Sequence, residues 1–449
     1  METMSLVEKA SDRIRSSVLV KAIGIGIIVL LLLIPGAMVE SLVRERKFTY
    51  TSAVDEICSK WGSSQTITGP VVTIPFYFRT TDSNGKPAVM KKYAHFLPSE
   101  LNINGKVDPE IRNRSIYKAI LYKGNLDISG SFGKLNYERL KIDPQDMLFE
   151  EAFLSVGISD LRGISRQVTV NWDGDEEIAE PGIPVYDVIS SGVNIPLDLS
   201  SHRTGNVPHT FKLNLALNGS RSLSFLPMGK ETNVQISSPW ASPSFDGAFL
   251  PTERNITQNG FEAKWSVLEL NRTYPQEWIE RAYTENSAFG FSMIIPVDYY
   301  QTITRSVKYA LLFIVLTFAA FFTIEILKSY RVHPIQYVLI GFALTLFYAL
   351  LLSFSERIGF GPAYLIASAG IVVMVTLYSM TITKSNLMAC LIGAVLSGLY
   401  GFLYLLLQLE DYALLMGSIG LFVILGTFMF LTRNIDWYGG KKKKVVEEF

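Results

Sequence analysis

Residues that commonly carry chemistry are scarce in this 449-residue chain. Its two cysteines, Cys58 and Cys390, lie in unlike surroundings, so we expect no disulfide framework. Its four histidines are widely scattered and predict neither a metal site nor a cofactor site. The 41 Lys and Arg residues balance the 41 Asp and Glu residues, so the net charge gives no argument for nucleic acid as a partner.

Familiar catalytic signatures are also missing from the sequence. It contains no H-E-x-x-H, no G-x-S-x-G, no P-loop and no dinucleotide-binding fingerprint. We therefore assign no catalytic residue and predict that the protein is not an enzyme.

Long apolar runs, in contrast, are abundant. A helix that crosses a bilayer needs about 20 apolar residues, and six segments qualify. These segments are residues 22–39, 307–327, 335–354, 361–381, 387–407 and 412–431. The first run lacks a good cleavage site, which favours an uncleaved anchor over a signal peptide. We predict a six-helix transmembrane bundle with one N-terminal anchor and five C-terminal spans (residues 307–431).

The basic residues predict the orientation of these spans. Short cytoplasmic segments are enriched in Lys and Arg. The tail 1–21 is basic, and so is the tail 432–449, which contains the run from Lys441 to Lys444. Because six spans return the chain to its starting side, both tails are expected in the cytoplasm. The segment 40–306 between the first two spans is then periplasmic.

Six polar residues near the ends of the spans are candidate membrane sites. They are Glu325, Lys328, His333, Glu356, Glu410 and Asp411. In one interpretation they mark boundaries: His333 begins a helix, Glu356 ends it, and Glu325 pairs with Lys328 at helical spacing. In the other, a carboxylate within a span is a functional site. Both interpretations remain open at this point.

Small residues recur at every fourth position of the fifth span. Gly393, Ser397 and Gly401 follow this spacing, which lets helices approach closely. The pattern predicts tight packing, either inside the bundle or between the subunits of a homo-oligomer.

The segment 40–306 has the pattern of a β-rich, β-sandwich-like domain. Apolar residues alternate with polar ones in "FKLNLALNGSRSLSF" (211–225), and Asn218-Gly219 predicts a hairpin turn. One helix is expected after Pro144. "FLPSELNI" (96–103) and "FLPTERNI" (249–256) resemble each other, through either two related modules or chance.

An aromatic group surrounds a predicted turn in this domain. Trp240, Phe245 and Phe249 lie near Asp246, whose pairing with a following glycine predicts the turn. These rings either pack internally or form an exposed recognition patch.

Several segments resemble the CreD family of bacterial inner-membrane proteins, which contributes to cell-envelope integrity. They are "SLSFLPMGKETNVQISSPWASPSFDGAFLP" (222–251), "GFEAKW" (260–265), "HPIQYVLIGFALTLFYALLLSFSERIGF" (333–360), "YGFLYLLLQLEDYALLMGSIGLF" (400–422) and "TRNIDWY" (432–438). The resemblance implies an inner-membrane location, a periplasmic domain and a link to colicin tolerance. It implies no catalytic residue.

Two functions follow from these observations. In the first, the periplasmic β-domain binds an envelope protein or lipid partner, and the helices anchor it in membrane lipid. In the alternative, the bundle moves or presents an amphiphile, as a transporter or lipid-handling protein would. Hydrolysis in the periplasm ranks below both.

Overall fold

The chain forms two compact units. The computed structural model describes residues 18–81, 86–203, 207–282, 284–294, 299–328, 332–409 and 412–433. One unit, which we call the β-domain, is Tyr50–Pro296. The other, which we call the membrane unit, combines Met1–Thr49 with Val297–Phe449.

The described residues contain seven α-helices. They are α1 (Val18–Trp61), α2 (Tyr299–Lys308), α3 (Ala310–Lys328), α4 (Pro334–Ile358), α5 (Phe360–Thr383), α6 (Asn386–Gln408) and α7 (Ala413–Thr432). Among these, α1, α4, α5, α6 and α7 are each long and apolar enough to cross a membrane. The pair α2 and α3 passes the same test together, with a bend of 45° between its halves. The N-terminal anchor and the C-terminal spans are thus confirmed, with the second predicted span a bent pair.

Helix α1 does not end where its apolar run ends. It has 44 residues, which corresponds to about 66 Å, whereas the hydrocarbon core of a bilayer is about 30 Å thick. Its last turns belong to the β-domain, where Val54 and Cys58 pack with Ala119 and Leu121. The first part of α1 is therefore apolar enough to cross a membrane, whereas its last turns pack within the β-domain.

The described part of the β-domain contains seventeen strands. They are β1 (Gln65–Thr81), β2 (Pro87–Phe96), β3 (Glu100–Arg114), β4 (Tyr117–Phe132), β5 (Ala152–Ile158), β6 (Thr169–Trp172), β7 (Asp175–Ile178), β8 (Glu180–Pro181), β9 (Gly192–Leu197), β10 (His209–Ser220), β11 (Ser222–Phe225), β12 (Glu231–Ser238), β13 (Pro243–Gly247), β14 (Glu253–Thr257), β15 (Gly260–Leu268), β16 (Glu277–Ile279) and β17 (Phe289–Met293).

These strands form two sheets. Sheet A has nine strands in the order β13-β17-β11-β1-β5-β9-β8, with β2 paired to β1 and β16 paired to β2. Sheet B has eight strands in the order β14-β15-β12-β3-β4-β10-β6-β7. Two contacts between neighbouring strands are parallel, β1 with β11 and β3 with β12.

The sheets share one apolar core, which confirms the β-sandwich-like fold. In β3 the side chains of Leu101 and Ile103 are buried in that core, whereas Asn104, on the opposite face, is exposed. This alternation arises because successive side chains of a strand point to opposite faces. Burying each large apolar side chain stabilises the domain by about 1.5–3 kcal/mol.

The helix expected after Pro144 is wrong. The chain forms two short 3-10 turns, Pro144–Asp146 and Phe149–Glu151, and then enters β5, whose seven residues are all buried. Because β5 lies between β1 and β9, both its edges are paired, and the burial of all seven residues shows that both its faces are covered, as in a central strand.

The hairpin expected at Asn218-Gly219 is also wrong. Both residues lie inside β10 and continue its pairing with β4. The chain bends at Arg221, which has a φ of 60°, and β11 then pairs with β1 and β17 in the other sheet. A local turn signal is overruled here by strand pairing between distant segments.

The two similar segments enter non-equivalent strands. "FLPSELNI" leads into the central strand β3, whereas "FLPTERNI" leads into β14 at the edge of sheet B. The strand beside β3 is β12, which also follows a Phe-Leu-Pro sequence, and their register places Glu100 beside Glu231. The duplication stays a prediction, and the structure points to 225–234 as the segment to compare with 96–103.

Candidate functional site

A buried carboxylate organises one end of the membrane unit. Glu325 of α3 is 5% exposed, and Lys21 Nζ of α1 lies 2.6 Å from its Oε1. The backbone N–H of Val332 donates to the same oxygen at 3.3 Å, and Tyr337 of α4 donates its hydroxyl to Oε2 at 3.2 Å. Three donors therefore compensate the buried charge, as such a group requires.

The sequence did not reveal this partner of Glu325. The side chain of Lys328, its expected partner, lies outside the described residues, and Lys21 is 304 positions away along the chain. In the sequence, Lys21 is one of the basic residues that precede the first apolar run. The cluster joins α1, α3 and α4, so a structural role accounts for its geometry.

His333 and Glu356 lie at opposite ends of α4. His333 is the N-cap: its Nδ1 accepts from the N–H of Ile335 at 3.3 Å, and its own N–H donates to Gln336 Oε1 at 2.9 Å. This confirms that His333 begins a helix. Glu356 accepts a hydrogen bond from the hydroxyl of Tyr300 of α2 at 3.0 Å. The predicted sites Glu410 and Asp411 lie outside the described residues.

The small residues of α6 do not share one environment. A Cβ atom added to Gly393 would lie 2.5 Å from the Oγ1 atom of Thr376 in α5, so this glycine permits close packing of α6 on α5. Gly401 has no such neighbour within 4 Å, and Ser397 bonds to the carbonyl of Gly393 within its own helix at 2.8 Å. Packing inside the bundle thus uses Gly393, and a homo-oligomer stays a prediction.

Aromatic rings fill the membrane unit around Tyr364. Its buried hydroxyl donates to the carbonyl of Tyr400 at 2.7 Å. Its ring lies 5.4 Å from that of Phe347, 5.7 Å from that of Phe360 and 5.1 Å from that of Tyr404. The side chains of α4, α5 and α6 are therefore closely packed at this point.

The predicted aromatic patch of the β-domain is half-buried. Trp240, Phe245 and Phe249 all pack against the core, and the indole N–H of Trp240 donates to the carbonyl of Ser242 at 3.0 Å. Phe245 contacts two core rings, and Phe249 lies against the ring of Phe289. Asp246 is exposed and accepts a hydrogen bond from Ser292. These contacts are those of internal packing, and a recognition role stays a prediction.

A polar surface lies on the outer face of sheet B. Its central strands β12, β3, β4 and β10 carry side-chain amides at the positions that point away from the core. We call these residues the amide face: Asn102, Asn104, Asn125, Asn214, Asn233 and Gln235. The strand register places Asn104 beside Gln235 on one side and beside Asp127 on the other.

Part of the amide face has unused hydrogen-bonding capacity. Asn214 donates to Asp127 at 2.8 Å, and Asn233 donates to Asn102 at 3.4 Å. Across the described residues, no hydrogen bond of the protein engages the side chains of Asn104, Asn125 and Gln235, which are all exposed. Their donors and acceptors are therefore available to a ligand.

Three adjoining open pockets lie over this surface and its borders. Their volumes are about 390, 540 and 290 Å³, and Lys106 lines all three. The charged lining residues are Lys106, Lys123, Arg166, Asp108, Asp127 and Glu262, three of each sign, so their formal charges cancel. The surface is thus polar, recessed and electrically balanced.

Sequence reasoning missed the amide face although a signal was present. In "ELNINGKVD" (100–108) and "TNVQIS" (232–237), apolar residues alternate with polar ones, and most of the polar positions hold Asn, Gln or Lys. That these segments lie side by side could not be deduced, because their pairing is parallel and more than 100 residues apart.

Two histidines of the β-domain, His95 and His209, are buried close to carboxylates, and His95 is the more deeply buried. His95 is 2% exposed, its Nδ1 lies 2.9 Å from Thr73 Oγ1, and its Nε2 lies 3.5 Å from Asp187 Oδ2. Burial disfavours the charged ring and lowers the pKa of His95 to about 4, although Asp187 acts in the opposite direction. His95 is therefore neutral in the folded domain at neutral pH.

Comparison with known proteins covers both units. The sequence model of the family described as "Inner membrane protein CreD" matches residues 17–438. The chain is 34% identical, over 419 residues, to a protein of Escherichia coli (strain K12) named inner membrane protein CreD. That alignment covers 91% of each chain.

Proposed function

The chain belongs to the CreD family of inner membrane proteins, and on that premise we propose that it supports the integrity of the bacterial cell envelope without catalysing a reaction. In this proposal its β-domain binds an envelope component, and its helices hold that domain at the inner membrane.

The proposal places the β-domain in the periplasm and both tails in the cytoplasm. The distribution of Lys and Arg supports this orientation, because the tails 1–21 and 432–449 are basic and cytoplasmic segments favour such residues. A cysteine at Asn113, an exposed position of β3, tests it in a chain with Cys58 and Cys390 changed to serine. A membrane-impermeant maleimide should label it once the outer membrane alone is opened. Labelling only after the inner membrane is broken would contradict the orientation.

The observation that carries the proposal is the pocketed amide face. Exposed side chains with unused donors and acceptors, in pockets whose charges cancel, suit the binding of a polar partner. The membrane unit suits anchoring, because its polar groups at Glu325 and Tyr364 are both buried and hydrogen-bonded. Binding by the β-domain therefore has more support than transport through the bundle.

The test blocks the amide face without disturbing the core. Asn104→Arg with Gln235→Arg places two bulky cations on it, and Asn113→Arg with Gln145→Arg is the matched control, because both control residues are exposed and line none of the three pockets. Each variant is expressed in cells without their own copy of the gene, at equal protein levels. Survival in a mixture of detergent and EDTA is then measured.

We expect the amide-face variant to leave the cells as sensitive as cells without the protein, and the control variant to protect them. Full protection by the amide-face variant would show that this surface does not carry the function.

A further inference from the structure

We propose that the amide face binds a neutral glycan chain of the kind that forms the bacterial cell wall. This inference rests on the proposed function, because it names the envelope component that the β-domain holds.

The side-chain amides match the hydrogen-bonding chemistry of a sugar. Every sugar hydroxyl both donates and accepts hydrogen bonds, and so does every side-chain amide, whereas Lys only donates and an ionised carboxylate only accepts. An N-acetylated sugar also carries an amide that can pair with Asn or Gln in both directions. Asn104, Asn125 and Gln235 offer such groups, and no bond within the described chain engages them.

The balanced charges of the pockets favour a partner without net charge. Anionic lipid headgroups and nucleic acid phosphates are bound by surfaces with an excess of Lys and Arg. Here Lys106, Lys123 and Arg166 are opposed by an equal number of acidic residues. A neutral polymer is the partner that such a surface accommodates without leaving a charge unmatched.

The amide face is long enough to contact an extended chain at several points. The register places Lys264, Gln235, Asn104, Asp127 and Asn214 in one row across β15, β12, β3, β4 and β10. Because neighbouring strands are about 4.8 Å apart, five strands extend about 19 Å, which offers an extended chain several successive contacts. Trp61 lines one pocket, and its indole N–H is fixed by a bond to the carbonyl of Tyr122 at 3.2 Å. The guanidinium of Arg112 lies 4.1 Å from the centroid of its ring, so Trp61 and Arg112 together form this part of the rim.

The experiment uses the full-length protein in detergent micelles and purified peptidoglycan sacculi as the probe. Protein that sediments with the sacculi is measured across a range of sacculus concentrations, with the N-acetylglucosamine tetramer as a soluble competitor. We expect sedimentation that the tetramer reduces, and that 0.3 M NaCl leaves unchanged, because ionic screening weakens only contacts between charges.

Two alanine variants make the test specific. Asn104→Ala with Gln235→Ala should weaken binding about tenfold or more, since each removes hydrogen bonds to the glycan. Asn113→Ala with Gln145→Ala should bind as the unchanged protein does. Equal binding by both variants, absence of binding, or binding abolished by the salt would each overturn the inference.

The failure of this inference can be separated from failure of the proposed function. If the arginine variant on the amide face abolishes protection of cells but the protein binds no sacculi, the proposed function stands and the partner is not a glycan. If the alanine variant loses glycan binding while the arginine variant still protects cells, the glycan site stands and the proposed function fails.

Discussion

The outer surfaces of the two units have opposite character. In the membrane unit the side chains of Leu365 and Phe422 are 67% and 78% exposed, whereas the carboxylate of Glu325 is buried among its donors. In the β-domain Leu126 and Trp265 are buried, whereas Asn104 and Gln235 of the amide face are exposed. The polar outer surface of the unit Tyr50–Pro296 is therefore suited to contact with water, whereas the apolar outer surfaces of α4 to α7 are suited to contact with lipid.

This contrast also explains the sequence patterns of the units. A strand with one wet face alternates polar and apolar residues, as β10 does. A helix surrounded by lipid and other helices is apolar on every side, so its polar residues are few and each needs a partner. Four perturbations test this contrast between the two units.

Removing the buried carboxylate should have the largest effect on the membrane unit. Glu325→Ala leaves the amine of Lys21 and the hydroxyl of Tyr337 without their acceptor, so we expect the free energy of unfolding to fall by about 4 kcal/mol. Unfolding by sodium dodecyl sulfate, followed by circular dichroism, measures it. The control is Glu40→Ala, which removes an exposed pair with Arg44 and should cost less than about 1 kcal/mol. Equal effects would contradict the structural role of Glu325.

A charge on a lipid-facing helix should have the next largest effect. Phe422→Arg places a cation near the middle of α7 and should cost about 3 kcal/mol of insertion free energy. Leu250→Arg, at a residue of the β-domain that is 68% exposed, should cost less than about 0.5 kcal/mol. The amount of each variant in isolated membranes measures the difference. Similar amounts would argue against a lipid-facing α7.

Acid should destabilise the β-domain through His95. Its pKa is about 4 in the folded domain and 6.5 as the ordinary value, so between these pH values the unfolded chain binds more protons. Stability therefore rises with pH in this window, and lowering the pH from 7 to 5 should remove about 2 kcal/mol.

The matched variant for this pH effect is His95→Asn, which carries no titrating group. Five of the six tryptophans lie in the β-domain, so their fluorescence during urea unfolding reports its stability. The pH dependence of the variant should be shallower by the amount assigned to His95. An unchanged dependence would exclude this ring as its source.

Truncating the amide face should have the smallest effect on stability. Asn104→Ala with Gln235→Ala should change the free energy of unfolding by less than about 0.5 kcal/mol, because both side chains are exposed and make no hydrogen bond within the described chain. The same urea titration measures it. A loss above about 2 kcal/mol would show that these amides stabilise the fold, and it would argue against a binding role.

Features encoded by local periodicity could be predicted from the sequence. The apolar runs that became α4, α5, α6 and α7 were located within a few residues of their ends, and His333 was identified as the start of α4. The β-rich class of the segment between the first two spans also followed from alternation.

Features that depend on distant partners could not be predicted. The segment after Pro144 has the pattern of a helix start, but pairing with β1 and β9 makes the residues that follow it a buried strand. Glu325 was singled out as a buried acid, yet its contact with Lys21 depends on how two helices pack. The amide face exists only because β3 and β12 are neighbours.

The parallel contacts at the centre of both sheets govern the order in which the domain can be made. Glu100 pairs with Glu231, a separation of 131 residues (231 minus 100), and Gln65 pairs with Leu223. The strands β1 and β3 therefore each keep one edge unpaired until β11 and β12, in the second half of the domain, have been synthesised. Such long-range closure slows folding and prolongs the time during which unpaired strand edges are exposed to aggregation.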